Sequence, residues 1–112
     1  MSDEAAPGNQ VVEVVTTLYA EALAQQLAGT LIAERLAACV QREGPIASTY
    51  RWDGRIEAAA EWRLVCKTAP DRAAALVDRI RRLHPYEQPE ILIATREADP
   101  GYAAWVARET AA

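Results

Sequence analysis

The segment LHPYEQPE, residues 83–90, holds the side chains of this sequence that are best suited to chemistry. It contains the single histidine, His84, followed by Tyr86, Glu87 and Glu90. An imidazole, a phenol and carboxylates this close together suit a metal site, an acid–base site or a stiff turn, because prolines restrict the same stretch. Copper needs several converging nitrogen or sulfur ligands, so His84 predicts at most weak binding of Cu(II) or another divalent cation. We expect no tightly bound cofactor.

The cysteines are the other possible soft ligands. Cys39 and Cys66 have neither the spacing of a metal finger nor the density of a secreted disulfide scaffold. We expect two buried free thiols in a reducing compartment, most simply the cytoplasm. Nothing in the sequence places either sulfur near His84. With one histidine, no Ser-His-Asp or Cys-His set can be assembled, so we expect no enzymatic activity.

Length and charge restrict the class of protein. The chain has 112 residues, which suits one domain, and a net charge of −4 from 12 basic and 16 acidic residues. That balance argues against nucleic acid or an anionic membrane as partner, since both require a basic surface. No run approaches the ~18 apolar residues of a membrane span. Residues 1–10 lack periodicity and predict a disordered lead-in without a signal peptide, and residues 11–112 predict a single domain.

Hydrophobic periodicity places the elements that must position these side chains. A β-branched run predicts a first strand, and a stripe of leucines and alanines predicts a long amphipathic helix after it. Asp53-Gly54 is a strong hairpin signal between two long strand patterns. A second helix, a strand and a short terminal helix follow. The predicted ranges are 11–18, 20–38, 39–52, 55–68, 70–83, 90–98 and 99–110. The order βαββαβ predicts an α+β, ferredoxin-like fold with a four-stranded antiparallel sheet, a long hairpin and an extra C-terminal helix.

Several motifs in these elements resemble one family. They are LAAC (36–39), YRWDG (50–54), EWRLVCKT (61–68), HPYEQPE (84–90) and GYAAWV (101–106). In this order and spacing the sequence resembles the CutA family of divalent-cation tolerance proteins, from about Val11 to Glu109. The resemblance implies a ferredoxin-like subunit, a tight homotrimer and a role in the response to copper and other divalent ions.

The resemblance also permits a check of the copper ligands. In bacterial relatives implicated in copper binding, the resemblance implies a cysteine near the end of the first strand. It also implies paired histidines before the proline that matches Pro85 here. The matching positions here are Thr16, Leu83 and His84, so only one ligand remains. The resemblance therefore implies a homotrimer with weak metal binding or a scaffolding role.

The hairpin supports a trimer independently of the resemblance. Its arms are too long to lie entirely over two helices, so the end that carries Tyr50 and Trp52 should project. Exposed strand edges and aromatic side chains favour aggregation unless sister subunits cover them in a closed ring. Tyr50 and Trp52 are therefore predicted to lie at the trimer interface. The alternative is a hairpin that folds back over its own sheet.

An alternative function is a signalling module similar to the PII regulators. Those proteins are trimers of the same subunit fold that bind nucleotides between subunits, but their long loop and basic cluster are not evident here. Lys67, His84, Tyr86, Glu87 and Glu90 are still predicted to line an intersubunit cleft for a small polar ligand. The sequence identifies no protein partner.

Overall fold

The computed structural model describes residues 7–112 and contains the predicted series of strands and helices. The elements are β1 (Gln10–Leu18), α1 (Glu21–Ala33), β2 (Cys39–Trp52), β3 (Arg55–Thr68), α2 (Ala73–Leu83), β4 (Leu92–Glu97) and α3 (Pro100–Glu109). The predicted disordered lead-in falls partly on residues 1–6, outside the described part of the chain. Its remainder is regular, because Pro7–Asn9 form a 3-10 turn and Gln10 already begins β1.

The sheet confirms the predicted α+β, ferredoxin-like fold. Its four strands are all antiparallel and lie in the order β2-β3-β1-β4. Central strand β1 pairs on both sides, with Val14 opposite Cys66 of β3 and Ile93 of β4. None of the helices among residues 7–112 is long and apolar enough to cross a membrane.

The main core lies between one face of the sheet and the helices α1 and α2. Alternate residues of β1 and β3 point to that face, while leucines and alanines of the helices pack against them. The members that best represent this core are Val14, Leu18, Leu31, Leu64, Leu76 and Ile80, all almost fully buried. Each such side chain contributes roughly 1.5–3 kcal/mol relative to exposure.

Helix α1 ends earlier than its hydrophobic stripe predicts. The expected range was 20–38, but the helix stops at Ala33 because Arg35 takes a left-handed conformation with φ 58°. Leu36 and Ala37 remain buried, so the apolar pattern continues past the helix. The Arg35 guanidinium donates to the carbonyl oxygens of Arg108 and Ala111, at 2.8 Å and 3.1 Å, and so joins the C-terminal ends of α1 and α3.

The long hairpin has the predicted strand bounds. Asp53 and Gly54 at its turn both have positive φ, as a two-residue hairpin loop requires. The predicted irregularity at Gly44-Pro45 is confirmed as a shift of register between Glu43 and Ile46. A Cβ on Gly44 would lie 2.5 Å from Cδ1 of Trp62, so only glycine permits this close approach.

The second face of the sheet, called the open face below, is only partly covered. Helix α3 packs Ala103 and Val106 against Val11 at one end. At the other end the hairpin leaves the sheet, because β3 pairs with β1 only from Trp62 to Thr68. The remainder of the hairpin, residues 46–61, is a two-stranded ribbon. It lengthens the molecule, whose extents are 50 × 32 × 21 Å.

Candidate functional site

His84 ends helix α2 and is fixed by two hydrogen bonds. Its backbone is extended, as expected for a residue before proline. The residue is only 9% exposed, and Nε2 lies 2.8 Å from the carbonyl oxygen of Thr17. The backbone N–H of Tyr86 donates to Nδ1 at 3.1 Å. Because a carbonyl can only accept, Nε2 carries the proton and the imidazole is neutral.

Burial lowers the pKa of His84, and this effect outweighs the hydrogen bond to Thr17 and the charge of Glu61, which raise it. A metal ligand needs a free nitrogen lone pair, and in this geometry the Tyr86 N–H occupies the only one. The ring therefore links the end of α2 to β1 through its hydrogen bond to Thr17.

The other predicted metal positions do not gather around His84. Among residues 7–112 no group of three or more histidine, cysteine, aspartate or glutamate side chains could hold a metal ion. Thr16 is buried and faces the helices, whereas Cys39 and Cys66 lie on opposite faces of the sheet by strand alternation. Burial raises the pKa of the Cys66 thiol to about 12. The described residues of one subunit do not fit a dedicated copper site.

Tyr86 connects the loop after α2 to the ribbon. Its hydroxyl donates to Oε2 of Glu61 at 2.7 Å, and its ring stacks on Tyr19 with centroids 6.0 Å apart. The edge contact with the His84 ring has a centroid distance of 4.7 Å. Burial and the Glu61 carboxylate both raise the pKa of Tyr86, so the phenol stays protonated. Tyr86 is thus held in place by Glu61 and Tyr19 as one wall of the site.

Beside Tyr86 lies a cleft of about 700 Å³ on the open face, beneath the ribbon. Three carboxylates, three aromatic side chains, four uncharged polar side chains and a proline line it. They are Glu61, Glu87, Glu90, Tyr50, Trp52, Tyr86, Thr17, Ser48, Thr49, Gln88 and Pro89. We refer to this set as the acidic cleft, because it contains no lysine, arginine or histidine.

The structure brings together five of the residues predicted to be functional. Tyr50, Trp52, Tyr86, Glu87 and Glu90 all line the acidic cleft.

Two further predicted cleft residues lie elsewhere in the subunit. Lys67 pairs with Glu13 and Cys39, far along β3 from the cleft end of the strand. His84 supports Tyr86 from behind without lining the cleft. Both residues were predicted for a cleft between subunits, so their place in such a cleft stays a prediction.

Sequence reasoning missed Glu61 and Thr17, which form the floor of the cleft. Glu61 is only 8% exposed, and Thr17 is also buried. The period of two along β3 contained the signal for Glu61. Trp62 faces the helices, so Glu61 must point to the open face, where it pairs with Ile46 of β2.

Fold and site together define a ferredoxin-like α+β domain with an acidic, aromatic cleft on its open face. Residues 12–109 match the family model described as CutA1 divalent ion tolerance protein. The divalent-cation tolerance protein CutA of Yersinia pestis is 36% identical over 99 residues, which cover 88% of this chain and 83% of that protein. The chain therefore belongs to the CutA1 divalent ion tolerance family.

Solved structures of the family have the same fold. CutA1 from Ehrlichia chaffeensis gives a TM-score of 0.87 at 26% identity, over 91% of this chain and 96% of that one. CutA from Xylella fastidiosa gives 0.85 at 35% identity, over 89% and 97%. CutA from Archaeoglobus fulgidus, described as a periplasmic divalent cation tolerance protein, gives 0.84 at 29% identity, over 89% and 98%.

Proposed function

We propose that this chain acts as a homotrimeric divalent-cation tolerance protein. Its role is weak binding of copper or another divalent ion, or scaffolding, without catalytic turnover. The observation that carries the proposal is the ribbon, which leaves the sheet with large apolar side chains in solvent. Trp52 is 47% exposed and Ile56 71% exposed, and the edge of β2 has no partner strand among residues 7–112. Pairing with sister subunits would cover both the edge and the side chains.

The open face gives the trimer a second support. Leu92 in the edge strand β4 is 59% exposed, and Val15 and Val65 beside it are only half-buried. Apolar surface of this kind on a small domain commonly marks a protein contact. A ring of subunits would place these residues against a neighbour. Tyr50 and Trp52 would then serve as aromatic anchors.

Weak metal binding is proposed for carboxylate oxygens. Glu87 and Glu90 are exposed at the rim of the acidic cleft and form no ion pair within the described residues. Oxygen ligands hold divalent ions without strong preference for copper. We therefore propose Kd values in the micromolar range or weaker, about −8 kcal/mol or less favourable. His84 is not required, because its nitrogens already have partners.

The alternative of a PII-like module receives less support. A nucleotide would place phosphates near basic side chains, and the lining of the acidic cleft contains none. Location in the cytoplasm stays a proposal, supported by two free cysteines and testable by cell fractionation. No nucleic acid or membrane partner is proposed, in agreement with the net charge of −4.

The test is the mass of the protein in solution, measured by light scattering on wild type and two tryptophan variants. Wild type should have the mass of a trimer at micromolar concentration. Trp52→Ala should weaken assembly, since truncated interface anchors commonly cost about 2 kcal/mol or more. Trp105→Ala removes an exposed aromatic side chain from α3 and serves as the matched control, with the trimer retained. A monomeric wild type would refute the proposal.

Metal binding is tested separately by calorimetric titration with Cu(II). Wild type and His84→Gln should bind with the same weak affinity, whereas Glu87→Gln combined with Glu90→Gln should bind less. Nanomolar binding that disappears in His84→Gln would show that the imidazole leaves Thr17 to become a ligand.

A further inference from the structure

We propose that His84 is the proton-sensing residue of a pH switch, which releases residues 85–90 from the sheet when the ring takes up a proton. The inference goes beyond the proposed function, and it depends neither on a trimer nor on a bound metal ion. It rests on a ring whose two nitrogens both have partners, on a stiff segment that hangs on this ring, and on the presence of a single histidine in the sequence.

Protonation of the His84 ring is incompatible with its hydrogen bonds. Nε2 donates to the carbonyl oxygen of Thr17 at 2.8 Å, and Nδ1 accepts from the backbone N–H of Tyr86 at 3.1 Å. A protonated imidazole carries a hydrogen on both nitrogens, so Nδ1 would direct a donor at the donor of Tyr86. Uptake of a proton therefore removes the hydrogen bond to Tyr86 and puts a repulsion in its place.

The groups around the ring favour its neutral form while the segment is in place. Among residues 7–112, Glu61 on β3 is the only charged group that acts appreciably on the ring, and its carboxylate already accepts from the Tyr86 hydroxyl at 2.7 Å. Strand β1 contributes the Thr17 carbonyl, and Tyr19 directly after β1 stacks on Tyr86. Burial lowers the pKa of His84 by more than Thr17 and Glu61 raise it.

The segment 85–90 depends on this ring for its backbone position. Within residues 7–112, the hydrogen bond from Tyr86 to His84 is the only one that the backbone of the segment forms. Pro85 and Pro89 restrict its backbone, so we expect it to move largely as a unit. Once the ring is protonated, the contacts of the Tyr86 side chain remain to hold the segment, through Glu61 at the base of the ribbon and through Tyr19.

The experiment is amide hydrogen exchange of the full chain, followed by NMR between about pH 7.5 and about pH 5.0. In this range lies the ordinary histidine pKa of about 6.5, and the sequence has no histidine besides His84. Opening is measured as the protection of the Tyr86 amide, relative to an unstructured peptide at the same pH. Because opening is coupled to uptake of one proton, protection should be constant above about pH 6.5 and fall by up to about tenfold per pH unit below it.

Two controls separate the switch from a general effect of acid. His84→Gln replaces the ring by an amide that can both donate and accept but does not titrate, so the protection of Tyr86 should not depend on pH in this variant. The amide of Ala103 in α3, which donates to the Asp99 carbonyl oxygen at 2.9 Å, should keep its protection in wild type.

The inference would be overturned by constant protection of Tyr86 in wild type over this range, or by an equal fall in His84→Gln or at Ala103. If His84→Gln fails to fold, the wild type decides, because NMR also follows protonation of its single histidine ring. A fall in Tyr86 protection over the pH range in which the ring takes up its proton supports the switch. A ring that is protonated while the Tyr86 amide stays protected refutes it.

Discussion

His84 uses both of its ring nitrogens within its own chain. One donates to Thr17 in the central strand and the other accepts from Tyr86, two residues further along. The ring therefore sets the position of Tyr86, whose hydroxyl in turn reaches Glu61. By positioning Tyr86, His84 affects the shape of the cleft, although His84 itself does not line the cleft.

This role predicts a dependence of stability on pH. The pKa of His84 in the folded protein is lowered by burial, so the unfolded chain takes up a proton first as the pH falls. The contribution to the free energy of unfolding is fully present above the unfolded pKa of about 6.5 and is lost as the pH falls through the folded pKa. Urea unfolding at about pH 7.5 and about pH 5.5 should show a larger loss for wild type than for His84→Gln, whose amide does not titrate. Equal losses in the two proteins would contradict the assignment.

The candidate site could be predicted from the sequence only in part. The segment from His84 to Glu90 contains five residues that line the cleft, and three of them, Tyr86, Glu87 and Glu90, were predicted from their types and spacing. The hydrogen-bond partner of His84 could not be predicted, because Thr17 lies 67 residues away and offers a backbone carbonyl, which every residue carries. A hydrogen bond to a backbone carbonyl does not depend on the type of the accepting residue, so residue types do not predict it.

At the level of elements, the bulge in β2 aligns the ribbon with the cleft. The shift between Glu43 and Ile46 occurs beside Trp62, which packs over Gly44. The bulge puts Ile46 opposite Glu61, and strand alternation then carries Tyr50 and Trp52 to the open face. The walls of the cleft depend on this one irregularity.

Gly44→Ala should therefore destabilise the protein by about 2 kcal/mol or more, from a strained φ of 155° and a Cβ that meets Trp62. Gly54→Ala is the matched control, because φ is 76° there but no atom lies within 4 Å of the added Cβ. It should cost only about 1–2 kcal/mol from backbone strain. Denaturant unfolding of both variants measures the difference. A smaller effect for Gly44→Ala than for Gly54→Ala would refute the argument.

The elements themselves and the bounds of the hairpin were predictable, whereas the end of α1 was not. Asp53-Gly54 fixed both arms of the hairpin, since the turn requires positive φ at both positions. The end of α1 was predicted five residues too late, because Leu36 and Ala37 are buried by the sheet after the helix has stopped. Hydrophobic periodicity indicates which residues are buried, and buried residues continue past the end of α1.

At the scale of the molecule, the subunit has one face packed by two helices and another largely open. Its ribbon and the apolar residues of β4 lie at the margins of that open face. If the trimer covers these surfaces, much of the stability resides between subunits and not within them.

Thermal unfolding should therefore depend on concentration. The midpoint for wild type should rise when the protein concentration is increased about tenfold, by mass action on a folded trimer and unfolded monomers. Scanning calorimetry at two or more concentrations measures this, with Trp52→Ala expected to unfold at a lower midpoint. A midpoint independent of concentration would indicate that each subunit is stable alone.

The central place of β1 has a consequence for synthesis on the ribosome. Its valine-rich segment is the first of the four strands of the sheet to be made, yet the residues opposite Val14 are Cys66 and Ile93, which are made much later. The hairpin can pair as soon as its second arm emerges, because its two arms are adjacent in sequence. We expect the nascent chain to hold β1 without a partner until β3 appears, and to leave its second edge unpaired until β4 is complete. We expect this valine-rich strand to be exposed for that interval, and so to be a segment that chaperones can bind.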